Sequence, residues 1–189
     1  LRCMDTKRLR IAQGYILLLI GVILTVVYFM TLQTIPNGSD HYYMIDVGET
    51  QVVLNMWGTL HATGYPHYVI LSSALVTILK VFGISAAAAP AVTSLIYGIS
   101  ALGVFYLLLA RTTELFSAAI AVLLFGLTRT VWIHHVIAEI YTFGLLLLIA
   151  LYGLALRPNG AKTIYWLAFI GGIGVAHHRA IAMAIPALL

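Results

Sequence analysis

The chain has 189 residues, of which 62% are hydrophobic and only 8% are charged. A soluble domain normally has about 25% charged residues, so this composition excludes a soluble globular protein and indicates an integral membrane protein. The formal net charge of +4 is small, and the clustering of cations before the first apolar segment is a topology signal that excludes a nucleic-acid-binding footprint.

The apolar segments that recur along the chain are long enough to cross a bilayer, because a spanning helix needs about 20 residues. A backbone in lipid must satisfy its own hydrogen bonds, so we predict an all-α, polytopic transmembrane fold with about six spans. The predicted spans are 11–32, 65–82, 90–110, 115–127, a fifth that ends near residue 156, and a sixth that begins near residue 164.

The basic residues before the first span set the predicted orientation. Four cations lie within residues 1–10, and they are Arg2, Lys7, Arg8 and Arg10. Residues 33–63 contain neither lysine nor arginine, so the positive-inside rule predicts a cytoplasmic N-terminus and a long first extracytoplasmic loop at 33–63. If every segment crossed fully, Glu139 would lie on the cytoplasmic side, away from this loop.

The first loop holds half of the acidic residues of the chain, and these are Asp40, Asp46 and Glu49. As a helix, residues 46–60 would align two of the carboxylates with an apolar stripe. That face consists of Asp46, Glu49, Val53, Met56, Trp57 and Leu60. We predict a membrane-surface helix with Trp57 at the interface and the acids at its N-terminal end, where the helix dipole favours them. The carboxylates could bind a divalent cation or accept a proton from a hydroxyl group, but spacing alone favours a helix-capping role.

The segment "LHATGYPHY" at 60–68 follows the acids. Pro66 suits the first turn of a helix, and Gly64 supplies a flexible approach to it. A structural turn therefore explains the glycine and the proline, but it does not explain His61.

The order of D-x-x-E and then L-H-x-x-G-Y-P-x-Y resembles a membrane family of formerly unknown function with the pattern gD-s-g-E and H-P-P-G-Y-P. That family is related to the protein O-mannosyltransferases, and both belong to the GT-C class of polytopic glycosyltransferases. The later segments "VWIHHVIAEIYTFGLLLLIAL" and "GGIGVAHHRAIAMAIP" resemble further family segments in the same order. The resemblance implies a GT-C-like transmembrane domain over 11–189, and we expect the chain to be an N-terminal fragment.

The resemblance also implies an activity. Relatives move a mannose-like sugar from a polyprenyl-phosphate donor to a protein Ser/Thr or glycan acceptor at the extracytoplasmic face. By analogy Asp46 is the catalytic base and Glu49 its accompanying acid, while Ala62 and Thr63 replace the two prolines of the family box. The residues expected to bind substrate are His61, Tyr65, Glu139, His178 (or its neighbour His177) and Arg179.

The expected partners are the lipid-linked donor, the acceptor and membrane lipids, with other membrane subunits left open and no nucleic acid. No cofactor is certain, although Mg²⁺ or Mn²⁺ could assist Glu49. The residue pattern predicts no metal site at the two adjacent histidines, because they lack a third ligand.

Four alternatives remain open from the sequence. Asp40 is the main rival of Asp46 as the base, and Glu139 could instead form a structural ion pair with His135 or Arg129. At the level of function, the protein could be a non-catalytic structural subunit of a membrane complex. It could also be a proton-coupled transporter in which Glu139 and His178 face each other near the midplane.

Overall fold

The fold is all-α, as predicted. The computed structural model describes residues 6–38, 41, 44–157 and 160–187, and within these ranges it contains no strand. The helices are α1 (Thr6–Phe29), α2 (Val47–Met56), α3 (Pro66–Val81), α4 (Ala89–Leu109), α5 (Leu115–Gly126), α6 (Arg129–Val136), α7 (Tyr141–Ala155) and α8 (Ala161–His177), followed by a 3-10 helix (Arg179–Ala187). Asp40 lies outside the described residues.

Two helices in the described part of the chain have the length and apolar composition of membrane spans, Lys7–Phe29 and Ala89–Leu109. A third candidate is the pair α5 and α6, which is bent by 71° at a short break. Helices α3 and α7 are apolar but shorter. These two or three candidate spans indicate an integral membrane protein, and the predicted number of about six is not confirmed.

The long helices alternate in direction, so several of their ends meet. Tyr97 packs on Phe143 with ring centroids 5.0 Å apart, and Gly153 lies against Leu108, so α4 and α7 run parallel. Helix α8 returns antiparallel to α7, because the His177 ring hydrogen-bonds the carbonyl of Ile140 at 3.2 Å.

Helix α1 is tied to α6 at the same level. The indole N–H of Trp132 donates to Thr31 at 2.8 Å, and the amide of Gln33 donates to the carbonyl of Val136 at 2.8 Å. The last turns of α1, α6 and α8 therefore lie with the first turns of α4 and α7 at one end of the bundle. We call this the site end.

Helix α3 does not carry the chain to the other end. It packs along α2, and the chain returns to α2 directly after it. The side-chain amide of Gln51 donates to the carbonyl of Ala87, and that of Asn55 donates to Ala86, both at 2.8 Å. The structure therefore does not support 65–82 as a full crossing. Without that crossing, the number of spans before Glu139 changes by one. The prediction that Glu139 lies on the side opposite the acidic loop is therefore wrong.

Two buried clusters hold the helices together. The first lies between α1, α4, α5 and α6, and the second joins α2, α3, α7 and the 3-10 helix to α4. Helix α4 contributes to both clusters, so it is the central element on which the site end is assembled. Much of α1 is exposed and apolar, with Leu18, Val22 and Phe29 more than half exposed, as expected for a helix that contacts lipid.

Candidate active site

Asp46 lies at the N-cap of α2 but does not cap it. Its carboxylate makes no capping hydrogen bond, although aspartate at this position commonly accepts one from the backbone of the first turn. The residue is half-buried. Asp46 therefore does not have the helix-capping role that spacing alone favoured. Its carboxylate is available for other interactions.

Gln51 fixes α2 in place, a role that was not predicted from the sequence. Its side-chain oxygen accepts a hydrogen bond from the amide of Asn37 at 2.8 Å, and its side-chain nitrogen donates to Ile35 as well as to Ala87. The residue is only 6% exposed. Because the side-chain oxygen and nitrogen of this buried glutamine are both hydrogen-bonded, Gln51 connects α2 to the segments before and after it. The only indication in the sequence is a polar residue on an apolar helix face.

The predicted apolar face of α2 is partly wrong. Val53 and Leu60 are buried as expected, but Met56 is 75% exposed and Trp57 is 54% exposed. The helix ends at Met56, rather than at residue 60, because Trp57 takes a left-handed conformation with φ 54°. The exposed side chains include Val52 and Met56, which share one face and suit contact with a membrane surface.

Glu49 contacts His61, the residue that a structural turn does not explain. One carboxylate oxygen accepts the backbone N–H of His61 at 2.7 Å, and the other contacts Nδ1 of its ring at 2.7 Å. The hydrogen bond that the Glu49 carboxylate accepts from the ring raises the pKa of His61 above its usual range, and the nearby charge of Asp46 adds to this shift. The sequence-distant acid and histidine thus act as one unit.

The donor atoms of Asp46, Glu49 and His61 all lie within 4.8 Å of one another. Two carboxylates and one imidazole could hold a divalent cation. The set fits Mn²⁺ better than Mg²⁺, because Mg²⁺ prefers oxygen ligands and imidazole suits transition metals. A metal would require a neutral imidazole, so metal ligation competes with the protonated His61 that Glu49 favours.

The titration of His61 gives a first test of this unit. We expect Glu49→Gln to lower the pKa of His61, because it removes the charged hydrogen-bond acceptor that raises it. Asp46→Asn should lower it less, since Asp46 acts only through its charge. NMR of ¹³C-labelled histidine in detergent would measure both. An unchanged His61 titration in Glu49→Gln would contradict the pairing.

The turn at 61–65 carries the next ring into the site. Gly64 has φ 79° and Tyr65 has φ 44°, and two successive left-handed residues reverse the chain sharply before α3. As a result the Tyr65 ring lies between two histidine rings, 6.0 Å from His61 and 5.7 Å from His177. The turn thus connects the acidic helix to the end of α8.

Glu139 lies at the site end. Its backbone is fixed by Ser94, whose hydroxyl donates to the Glu139 carbonyl at 3.1 Å and accepts the Glu139 amide at 3.1 Å. The Tyr68 hydroxyl donates to the same carbonyl at 3.3 Å. The alternative ion pair of Glu139 with His135 is not formed: Nδ1 of that ring bonds the carbonyl of Val131, and Nε2 has no partner among the described residues.

Glu139 is only 5% exposed. Burial raises its pKa to about 7, the hydrogen bond from the Ile140 amide opposes this, and the negative charge of Asp46 adds to it. His61 acts in the opposite sense through its positive charge. The charges of Asp46 and His61 therefore both act on Glu139, and four of the predicted site residues, Asp46, Glu49, His61 and Glu139, lie at one end of the bundle.

The burial of Glu139 predicts a pH-dependent stability. A carboxyl with a raised pKa stabilises the fold fully below its unfolded pKa, near 4.5, and this contribution is lost as the pH rises through about 7. The loss should be about 3 kcal/mol. Unfolding of the detergent-solubilised protein at pH 4.5 and 8 would measure it. Glu139→Gln should remove this dependence, whereas Glu114→Gln, at the exposed start of α5, should retain it.

The two adjacent histidines have different surroundings. His177 is 1% exposed, and its Nδ1 has no hydrogen-bond partner among the described residues. His178 is partly exposed and lies 6.3 Å from the ring of Tyr141. Arg179 is exposed at the start of the 3-10 helix. His177 therefore joins the aromatic cluster with Tyr65, and His178 lies on the outer side.

A groove runs from these histidines along α7. Its volume is about 360 Å³, and its lining includes Tyr141, Gly144, Leu148, Tyr152, His177 and His178. A second cavity of about 200 Å³ shares Tyr141 and Leu145 with it. The buried hydroxyl of Thr142, which lines the second cavity, has no partner among the described residues. The groove therefore combines a polar head at the site end with apolar walls.

Fold and site together define an integral membrane protein with an acidic, histidine-bearing centre where its helices meet. The family model of the N-terminal domain of the protein O-mannosyl-transferase TMEM260 matches residues 46–189. The chain therefore belongs to this O-mannosyltransferase family, and the family name implies a glycosyltransferase. No curated protein and no solved structure matches the chain significantly.

Proposed function

We propose that this chain is the catalytic N-terminal part of a mannosyltransferase that uses a polyprenyl-phosphate donor and a protein Ser/Thr acceptor. One observation carries the proposal: Asp46, Glu49 and His61 converge within 4.8 Å, while the Asp46 carboxylate is not used to cap its helix. A hydroxyl acceptor needs a base of this kind, positioned where lipid and water meet.

In the proposed reaction, the acceptor oxygen attacks the anomeric carbon, and Asp46 takes the hydroxyl proton. The new carbon–oxygen bond replaces the bond to the donor phosphate, so the configuration inverts and polyprenyl phosphate leaves. Glu49 orients His61 and favours its protonated form near the developing phosphate charge. When a divalent cation is bound instead, Asp46, Glu49 and neutral His61 would hold it, and it would supply charge neutralisation for the phosphate.

The groove along α7 suits the donor. Gly144, Leu148 and Tyr152 share one helix face, and they would line the isoprenoid chain. The polar head of the groove is formed by Tyr141, His177 and His178. These groups, together with Arg179, would contact the phosphate and the sugar. Tyr65 links this head to His61.

The orientation follows from the distribution of cations. Helix directions put six of the ten Lys and Arg residues at the end opposite the site, and these are Lys7, Arg8, Arg10, Arg111, Arg157 and Lys162. The positive-inside rule then favours a cytoplasmic N-terminus and an extracytoplasmic site. This agrees with a donor and an acceptor that meet outside the cytoplasm.

The transporter alternative requires Glu139 and His178 to face each other near the midplane. Among the described residues, the Glu139 carboxylate accepts a hydrogen bond from the Ile140 amide and the His178 ring lies against Tyr141, so no direct pair between the two supports that alternative. A structural subunit would not transfer sugar, so a transfer assay distinguishes that alternative from the enzyme.

The test is sugar transfer by the full-length protein in liposomes. Radiolabelled mannose on polyprenyl phosphate should reach a Ser/Thr peptide, whereas the same peptide with alanine at these positions should remain unlabelled. GDP-mannose should not replace the lipid-linked donor. If folded protein transfers no sugar from any lipid-linked donor, the structural-subunit alternative is favoured. Transfer from GDP-mannose alone would reject the proposed donor.

A further inference from the structure

A second cleft lies at the end of the bundle opposite the site. It has a volume of about 420 Å³, within the usual range for ligand pockets, and it is formed by α4, α7 and α8. Its lining includes Leu107, Arg111, Ala150, Leu154, Arg157 and Trp166. The cleft shares no residue with the acidic centre or with the groove along α7, so the proposed reaction does not account for it.

Two arginines give this cleft its charge. Arg111 follows the end of α4 and Arg157 follows the end of α7, and both are exposed while they line the same cleft. Neither forms an ion pair with a carboxylate in the part of the chain that the structure describes. The positive-inside rule explains basic residues at this end, but it does not require two of them to converge on one apolar cleft.

The remaining walls suit hydrocarbon. Leu107, Leu154 and Ile170 are apolar, and Gly153 allows α7 to approach α4 closely, because a Cβ atom there would lie 3.0 Å from Leu108. Trp166 is 55% exposed and packs on Phe169 with ring centroids 5.9 Å apart. Tryptophan is enriched at membrane interfaces, where its ring meets headgroups and its body meets acyl chains.

We propose that this cleft binds one anionic phospholipid of the surrounding leaflet. The two guanidinium groups bind the phosphate through paired N–H donors, and the first methylenes of the acyl chains lie along the apolar wall. Charge complementarity selects an anionic lipid, and basic pockets between spanning helices commonly bind such headgroups. The proposal is independent of the transfer reaction.

Native mass spectrometry of the full-length protein tests the proposal. The protein is released from nanodiscs of equimolar phosphatidylglycerol and phosphatidylcholine, and the retained lipids are counted. Wild type should retain one phosphatidylglycerol preferentially. The double variant Arg111→Gln/Arg157→Gln should lower this preference roughly twenty-five-fold, because each cation near the surface contributes roughly five-fold.

The matched control is Arg8→Gln/Arg10→Gln, which removes the same charge at the same end of the bundle but outside the cleft. It should retain the lipid. Ala150→Phe, which fills the cleft while keeping both arginines, should lose it. Equal lipid retention by wild type and the cleft double variant overturns the proposal. Equal loss in both double variants also overturns it, since a diffuse charge effect would then suffice, as does a folded wild type that retains no phosphatidylglycerol.

Discussion

Asp46→Asn is expected to reduce mannose transfer by about 10²- to 10⁴-fold, the usual contribution of a general base. Asparagine keeps the shape of the side chain and is as favourable as aspartate at an N-cap, so α2 should remain intact. The loss should therefore appear in kcat at saturating donor and acceptor, with thermal unfolding unchanged. Initial rates with labelled donor in liposomes measure this effect.

Two variants sharpen this result. Asp40→Asn tests the rival carboxylate of the same loop, and it should retain most activity if Asp46 is the base. Glu114→Gln removes an acid at the opposite end and controls for a general change of charge. If Asp46→Asn retained full activity while Asp40→Asn lost it, the roles assigned to these two acids would have to be exchanged.

The local features of the site could be predicted from the sequence. Asp46 and Glu49 lie at the start of a helix in the structure, and Gly64 and Pro66 form the turn that leads into α3. These features depend on neighbours within a few residues, where helix-start and turn preferences act directly, although the Asp46 side chain forms no capping hydrogen bond. The ordered motifs also identified the family that the match over 46–189 confirms.

The position of Glu139 could not be predicted in this way. It depends on whether α3 crosses the membrane, and an apolar segment of this length is compatible with either answer. The decision is made by hydrogen bonds between residues far apart in the chain, such as that from Gln51 to Ala87. Helix periodicity carries no information on such pairings.

The break between α5 and α6 lies where the sequence predicts it, because the predicted fourth span is 115–127 and α5 ends at Gly126. The break that follows this glycine contains no proline. The sequence does not indicate the 71° change of direction, which is supported by contacts of α6 with distant helices. The His135 ring packs on Tyr28 with ring centroids 5.1 Å apart and lies directly against Gly98 of α4.

Gly98→Ala is therefore expected to destabilise the protein, although the same change in an ordinary helix stabilises it by up to about 1 kcal/mol. A Cβ atom at Gly98 would overlap the His135 ring, and overpacking typically costs about 1–3 kcal/mol. Thermal unfolding in detergent measures the net effect. Gly103→Ala is the matched control on the same helix, because its nearest neighbour, Leu17, would be 3.6 Å away.

The double variant Gly98→Ala/His135→Ala identifies the cause. If the overlap with the ring produces the loss, removing the ring should make Gly98→Ala neutral or stabilising, and the two changes should not be additive. Additive losses would instead indicate that Gly98 acts through another contact. Because α6 leads directly into the loop that holds Glu139, Gly98→Ala should also lower transfer, whereas Gly103→Ala should leave it unchanged.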